Sequence, residues 1–321
     1  MKHIDSEEVK KYLDYGFMMP HIIEIKDLTK QYNGLKAVDS LNLNIERGEI
    51  FGFLGPNGAG KTTTIKCLLG LIPPTRGSIT IQGEPVLKGK TSSNVGYLPE
   101  NVNLYPNLKG RELMEFFCDL KGVSKDRIDP LLKKVSLLDD SNRRIGEYSK
   151  GMVQRLALAQ SILGDPPVLI LDEPASGLDP VGTSVVKQVV WEHTKKGGTV
   201  FFSSHILPNV EQVAHRVGII VGGRLSTVDS VRNLRDKLKL PAKIQMVISQ
   251  PFEPIADKLY SSGLAKDIWG RENELTVTCD SSAKREVMKL VEEQGAEILD
   301  FSTMEGTLED VFLNYTRRGR P

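Results

Sequence analysis

From His21 the chain alternates apolar and polar residues in HIIEIKDLTKQY, and again in AVDSLNLNIERGEI with Gly48 as punctuation. That period of two predicts half-buried strands. EIFGFLG (49–55) is a short continuous apolar run and predicts a buried strand, while KTTTIKCLLGLI (61–72) carries an apolar stripe at helical spacing. After a turn-rich stretch, PPTRGSITIQG, the segment from about 101 to 147 is mainly helical in pattern. Within it, GRELMEFFCDLKG places Leu113, Phe116, Phe117 and Leu120 on one stripe. PVLILDEP, VVKQVVWEHTKKGG, TVFFSSH, VEQVAHR and VGIIVGGRL then alternate strand and helix. Short apolar strands separated by helices imply a parallel sheet covered on both faces, an α/β architecture.

The pattern changes after Lys239. AKIQMVISQ, EPIADKLYSSG, AKDIWG, ELTVTCD, SAKREVMKLVEEQG and AEILDFS read as strand, helix, two strands, helix, strand, the order of a small ferredoxin-like α+β domain. A last helix, LEDVFLNYTRR, has Leu308, Val311, Phe312 and Tyr315 on one face. At the other end, Val9, Leu13 and Phe17 recur at helical spacing among charges, which reads as an appended, solvated extension. Met18 and Met19 just precede the first strand, so translation starting there is the alternative to Met1. The expected division is an extension over 1–20, a main domain over 21–238 with a helical subdomain at about 101–160, and an accessory domain over 239–321.

The chain of 321 residues is 40% hydrophobic and 26% charged with a formal net charge of +1, ordinary values for a globular protein. There is no basic run with interleaved aromatics, which argues against nucleic acid as a partner. Cys67, Cys118 and Cys279 are far apart and show no metal spacing, so a disulfide or catalytic role is not expected. Runs such as VLIL and VGIIVGG are too short to span a bilayer, and no signal peptide is evident. If the protein works at a membrane, another chain supplies the spanning part.

GPNGAGKT (55–62) fits the phosphate-loop pattern G-x-x-x-x-G-K-[ST] between a predicted strand and a predicted helix. Glycines let successive N–H groups curl into an anion nest, and the helix presents its positive end to β- and γ-phosphates. Lys61 adds a point charge on the same oxygens, and the Thr62 hydroxyl is placed for Mg²⁺. Further on, VLILDEP puts Asp172 at the end of a dry strand, suited to a Mg²⁺ shell, with Glu173 beside it to polarise the attacking water.

Five further segments, in order with those two, give the chain a resemblance to the ATP-binding subunit of an ABC transporter over 22–234. VGYLPEN (95–101) stands at the Q-loop, YSKGMVQRLALAQSIL (148–163) at the signature and its helix, and SGLDP (176–180) at the D-loop. SSH ends on His205 at the switch histidine, and Tyr32 in QYNG stands where the family stacks an aromatic on adenine. The resemblance implies a P-loop NTPase fold that hydrolyses ATP with Mg²⁺. Gly55, Pro56, Asn57, Gly58, Ala59, Gly60, Lys61, Thr62 and Thr63 would hold the nucleotide together with Tyr32. It also implies a head-to-tail pair of subunits, a homodimer or a paired ATP-binding subunit, with Ser149 and Gly151 reaching the γ-phosphate in trans. His205 would contact that phosphate and hold the water with Glu173.

Two positions depart from the commonest pattern. Glu100 stands where glutamine is usual; its carboxylate can contact Mg²⁺ or its water, or it is simply a loop residue. Lys150 and Met152 replace a glycine and a glutamine of the signature, while Ser149 and Gly151 remain. YLPE, YSKGM and the ending TLEDVFLNYT resemble the export-type branch, whose permease is a separate membrane protein. The expected place is therefore cytoplasmic, peripheral on the inner face of the cell membrane. For the accessory domain, packing or dimer support is expected rather than ligand sensing. The competing reading is a soluble, non-transport ATPase of the same superfamily acting on ribosomes or DNA. Such relatives carry tandem nucleotide domains or long coiled coils, and neither pattern occurs here.

Overall fold

The computed structural model describes residues 21–89, 94–238 and 240–318, so the expected N-terminal extension lies outside the described residues. The chain divides into two compact units between Asp229 and Ser230.

The first unit is built from β1 (His21–Tyr32), β2 (Leu35–Glu46), β3 (Ile50–Leu54), α1 (Lys61–Leu68), β4 (Arg76–Ile81), β5 (Glu84–Pro85) and β6 (Val95–Leu98). It continues with α2 (Gly110–Lys121), α3 (Ile128–Lys134), α4 (Lys150–Ile162), β7 (Val168–Leu171), α5 (Pro180–Lys195), β8 (Thr199–Ser204), α6 (Leu207–Glu211), β9 (Arg216–Val221) and β10 (Arg224–Asp229). The alternating segments pair as an antiparallel sheet in the order β2-β1-β4-β5. The continuous apolar strands form the second sheet, β10-β9-β3-β8-β7-β6, parallel except at its β10 edge. Every residue of β3, β7 and β8 is buried, as expected for strands covered on both faces. Phe51 and Phe201 stack with centroids 5.9 Å apart, and Phe53 packs on Phe201 at 5.3 Å. All three rings lie in the core shared by the two sheets.

The helical segment differs from the pattern in one respect. α2 buries Gly110, Leu113, Met114 and Cys118, whereas Phe116 and Leu120 are exposed. Positions 110, 113, 114 and 118 share one side of a helix, and apolar identity alone did not say which of two overlapping stripes is covered. The three cysteines are buried free thiols, and burial pushes Cys67 up to about 11.

In the second unit, α7 (Val231–Leu238) is followed by β11 (Pro241–Ile248), α8 (Glu253–Ser261), β12 (Ala265–Arg271), β13 (Glu274–Asp280), α9 (Lys284–Glu293), β14 (Ile298–Met304) and α10 (Leu308–Arg318). The sheet order β12-β13-β11-β14, antiparallel throughout, is that of a ferredoxin-like βαββαβ fold. Ile244, Met246, Leu275 and Val277 pack from the sheet against Ile255, Leu259, Val287 and Val291 of its helices. The division falls one helix earlier than the expected boundary at 238/239. α7 buries Val231 and Leu234 and packs against α10, so it travels with the second unit although no composition shift marks its start. Among the described residues, no helix is long and apolar enough to cross a membrane.

Candidate functional site

The parallel register determines what meets at the carboxyl end of the central sheet. β3 runs beside β8 with Phe53 opposite Ser203 and Leu54 opposite Ser204, and β7 runs on the other side with Leu171 opposite Phe202. The residues leaving these strands are Gly55 onward, Asp172 with Glu173, and His205, so three distant segments emerge together. Such strand ends are where open α/β sheets bind ligands.

Between β3 and α1 the loop is shaped by backbone clearance. A Cβ on Gly55 would lie 2.6 Å from the Ile220 carbonyl oxygen. Gly60 has φ of +108°, and a Cβ there would sit 2.4 Å from the Ala37 carbonyl oxygen. A Gly60→Ala chain is therefore expected to lose about 2 kcal/mol or more, from a left-handed backbone plus a backbone clash. Its thermal midpoint should fall, and an unchanged midpoint would mean the loop tolerates a side chain there. No acidic residue occupies the first turn of α1, so the positive end of the helix is not neutralised by its own side chains.

Lys61 is buried at the base of the loop. Its Nζ donates to the Gly55 carbonyl at 2.7 Å and the Pro56 carbonyl at 3.4 Å, and lies 3.5 Å from Glu173 Oε1. Asp172 is also buried; burial pushes its carboxyl up, opposed by hydrogen bonds from Ser203 and Thr62. Glu173 is buried too and takes a left-handed backbone, φ +50°, uncommon for a residue with a side chain and costing about 1–3 kcal/mol. Its Oε2 lies 2.7 Å from His205 Nδ1 and accepts the His205 backbone N–H at 3.3 Å.

Lys61, Thr62, Asp172, Glu173 and His205 are thus brought together. The same is not true of every expected residue. Ser149 caps α4, its hydroxyl accepting the Met152 N–H at 3.2 Å. The Lys150 side chain lies over Gly177, and Gly151 faces Leu178, so the signature packs against the SGLDP segment of its own chain. Among the described residues, no hydrogen bond or ion pair joins Ser149–Gly151 to the phosphate loop. Tyr32 is half exposed at the end of β1, with the Lys30 ammonium 5.0 Å from its ring centre. Glu100 is exposed just past β6, the neighbour of β7 in the sheet. Its carboxylate and that of Asp172 add to the burial that pushes the Tyr97 phenol up to about 12.

Ser203 is a further member of the site, not among the residues expected from sequence. It stands in the same SSH triplet as His205, and its hydroxyl touches both acidic residues.

Among the described residues, no group of three His, Cys, Asp or Glu side chains could by itself hold a metal ion. The donor set here is one carboxylate, Asp172, hydrogen-bonded by the Thr62 hydroxyl. That sparse set suits a hard cation completed by substrate phosphate oxygens and water.

A family model described as ABC transporter matches residues 38–176. The bacitracin transport ATP-binding protein BcrA of Bacillus licheniformis is 36% identical over 307 residues, covering 92% of this chain and 97% of that protein. The lantibiotic transport ATP-binding protein SrtF of Streptococcus pyogenes is 37% identical over 204 residues, covering 64% of this chain and 89% of its own. A solved ATP-binding subunit of an ABC transporter superposes with a TM-score of 0.64 at 31% identity, covering 68% of this chain and 93% of that one. A dimeric ATP-binding cassette bound to ADP and phosphate shares the fold, with a TM-score of 0.60 at 24% identity over 65% of this chain and 99% of that one.

Proposed function

This chain belongs to the ATP-binding proteins of ABC transporters, and from that membership we propose that its ATPase activity drives export through a separate membrane permease. The observation that carries the chemical part is the convergence of Lys61, Asp172, Glu173 and His205 at one end of the sheet. Lys61 and the loop amides bind the phosphates, and Tyr32 stacks on the base. In this reading Thr62 and Asp172 hold Mg²⁺, with Glu100 able to reach it or its water. The ion, when bound, neutralises charge on the β- and γ-phosphate oxygens.

Glu173 accepts the proton of the attacking water. His205 keeps that carboxylate in place through Nδ1, and its other ring nitrogen would donate to the γ-phosphate in the form that carries a proton on both nitrogens. Phosphoryl transfer to water is mostly positioning and charge stabilisation, which explains why so much of the site is spent on holding Glu173. Within the chain the signature packs on the SGLDP segment, and among the described residues it makes no hydrogen bond or ion pair to the loop, which supports a site completed by Ser149 and Gly151 of a second subunit. ATP would then close the pair, and product release would reopen it.

The exposed Tyr105, Phe116 and Leu120, in the helical segment after Glu100, supply apolar surface for the permease. Transport is supported by the relatives named for bacitracin and lantibiotic transport, and export by the likeness of YLPE, YSKGM and TLEDVFLNYT to the export-type branch. The protein would sit at the inner face of the cell membrane, held there by that permease. Affinity purification of the chain from detergent-solubilised membranes in ATP-free buffer, followed by mass spectrometry, tests the assignment. A multi-spanning protein in stoichiometric amount is expected. Ribosomal proteins or DNA without a membrane protein would overturn it in favour of the non-transport reading.

A further inference from the structure

Glu173 is held in an unusual backbone conformation, and one side chain explains how. Ser203 is fully buried on β8, one residue past Phe202, which stands opposite the last residue of β7. Its hydroxyl donates to Asp172 Oδ1 at 2.6 Å and accepts the Glu173 backbone N–H at 2.9 Å. A hydroxyl has a single proton, so donating it to Asp172 leaves its lone pairs to meet the Glu173 N–H. The hydroxyl cannot rotate away without stranding a buried carboxylate oxygen and a buried amide together. The Glu173 peptide is therefore pinned while φ is +50°, the conformation in which its carboxylate meets His205.

We propose that Ser203 is a positioning residue of the ATPase. Anchored on Asp172, it fixes the Glu173 backbone so that the carboxylate stands between His205 and Lys61. The inference rests on the assignment of Glu173 as the group that accepts the proton of water. Alanine would leave the Glu173 N–H without its acceptor and let the peptide swing. The residue type matters because the hydroxyl must accept and donate at once. Threonine keeps that function, and valine, of the same shape, does not.

The test compares Ser203→Ala, Ser203→Thr and Ser203→Val in the full-length chain. Ala and Val are expected to lower kcat about 10- to 100-fold, the usual effect of removing the support of a site residue. Their binding of a fluorescent ATP analogue, measured without Mg²⁺ so that Asp172 does not enter, should stay within about twofold of the parent, because neither the loop nor Lys61 is touched. Thr should recover most of the rate. If Ala does not fold, the Thr and Val pair, matched in bulk, decides alone. In a Glu173→Gln background Ser203→Ala should add little further loss, since there is no base left to position. Equal rates for Thr and Val, a parental kcat for Ala, or losses that multiply fully in the double variant would overturn the proposal. A Glu173→Gln chain that hydrolyses ATP at the parental rate would instead sink the base assignment itself, so the two failures are distinguishable.

Discussion

A Glu173→Gln chain is expected to bind ATP, to stop hydrolysing it, and to accumulate as a closed dimer. Glutamine has the shape of glutamate, so its side chain can occupy the same buried place beside His205 and Lys61. What it loses is basicity. Removing a positioned general base costs about 10²–10⁴ in rate, which would leave the chemical step far slower than dimer opening. Losing the carboxylate also removes a negative charge near the γ-phosphate, which favours retention of the intact nucleotide. The predicted pair of results is an ATPase rate near background and an ATP-dependent shift to dimer on gel filtration. A parental hydrolysis rate would refute the role of Glu173. A monomer that turns nothing over would place the fault in assembly instead.

Much of this site was legible in the sequence because its parts are local. A glycine-rich loop between an apolar strand and an amphipathic helix encodes its own geometry, and VLIL followed by two acids encodes a dry strand end. The accessory fold was legible for the same reason: six short elements in sequence have one economical sheet order. What escaped was set by three-dimensional register. Ser203 reads as one more small residue in TVFFSSH, and only the alignment of β8 against β7 sets its hydroxyl against Asp172 and the Glu173 amide. The left-handed backbone at Glu173 is likewise invisible in DEP. On α2 two overlapping apolar stripes competed, and the choice belonged to the neighbours, not to the helix. The lysine in YSKGM lies over Gly177 of its own chain, a contact that no spacing rule encodes.

The proposal that the signature serves a partner's phosphate loop leads to the second large effect. Lys61→Ala removes the cation from the loop, and ATP hydrolysis should fall to background. Gly151→Asp would act at the other half of the proposed site. A Cβ at Gly151 meets Leu178 and the Ser149 hydroxyl, both at ordinary contact distance, and an acid in the first turn suits α4, so the chain should fold. Its carboxylate would face the γ-phosphate of the partner's nucleotide and repel it, so this variant should be inactive as well. Mixing the two inactive chains separates the alternatives. If each site joins the loop of one subunit to the signature of the other, a mixed dimer has one site with both defects and one with neither. Equal amounts with free exchange make half the dimers mixed, with one intact site in two, so activity should return to about a quarter of the parent's. If loop and signature served one nucleotide within a single chain, every site would carry one defect and the mixture would stay silent. The composite site thus predicts activity from two dead proteins, and a silent mixture in which dimers demonstrably exchange would refute it.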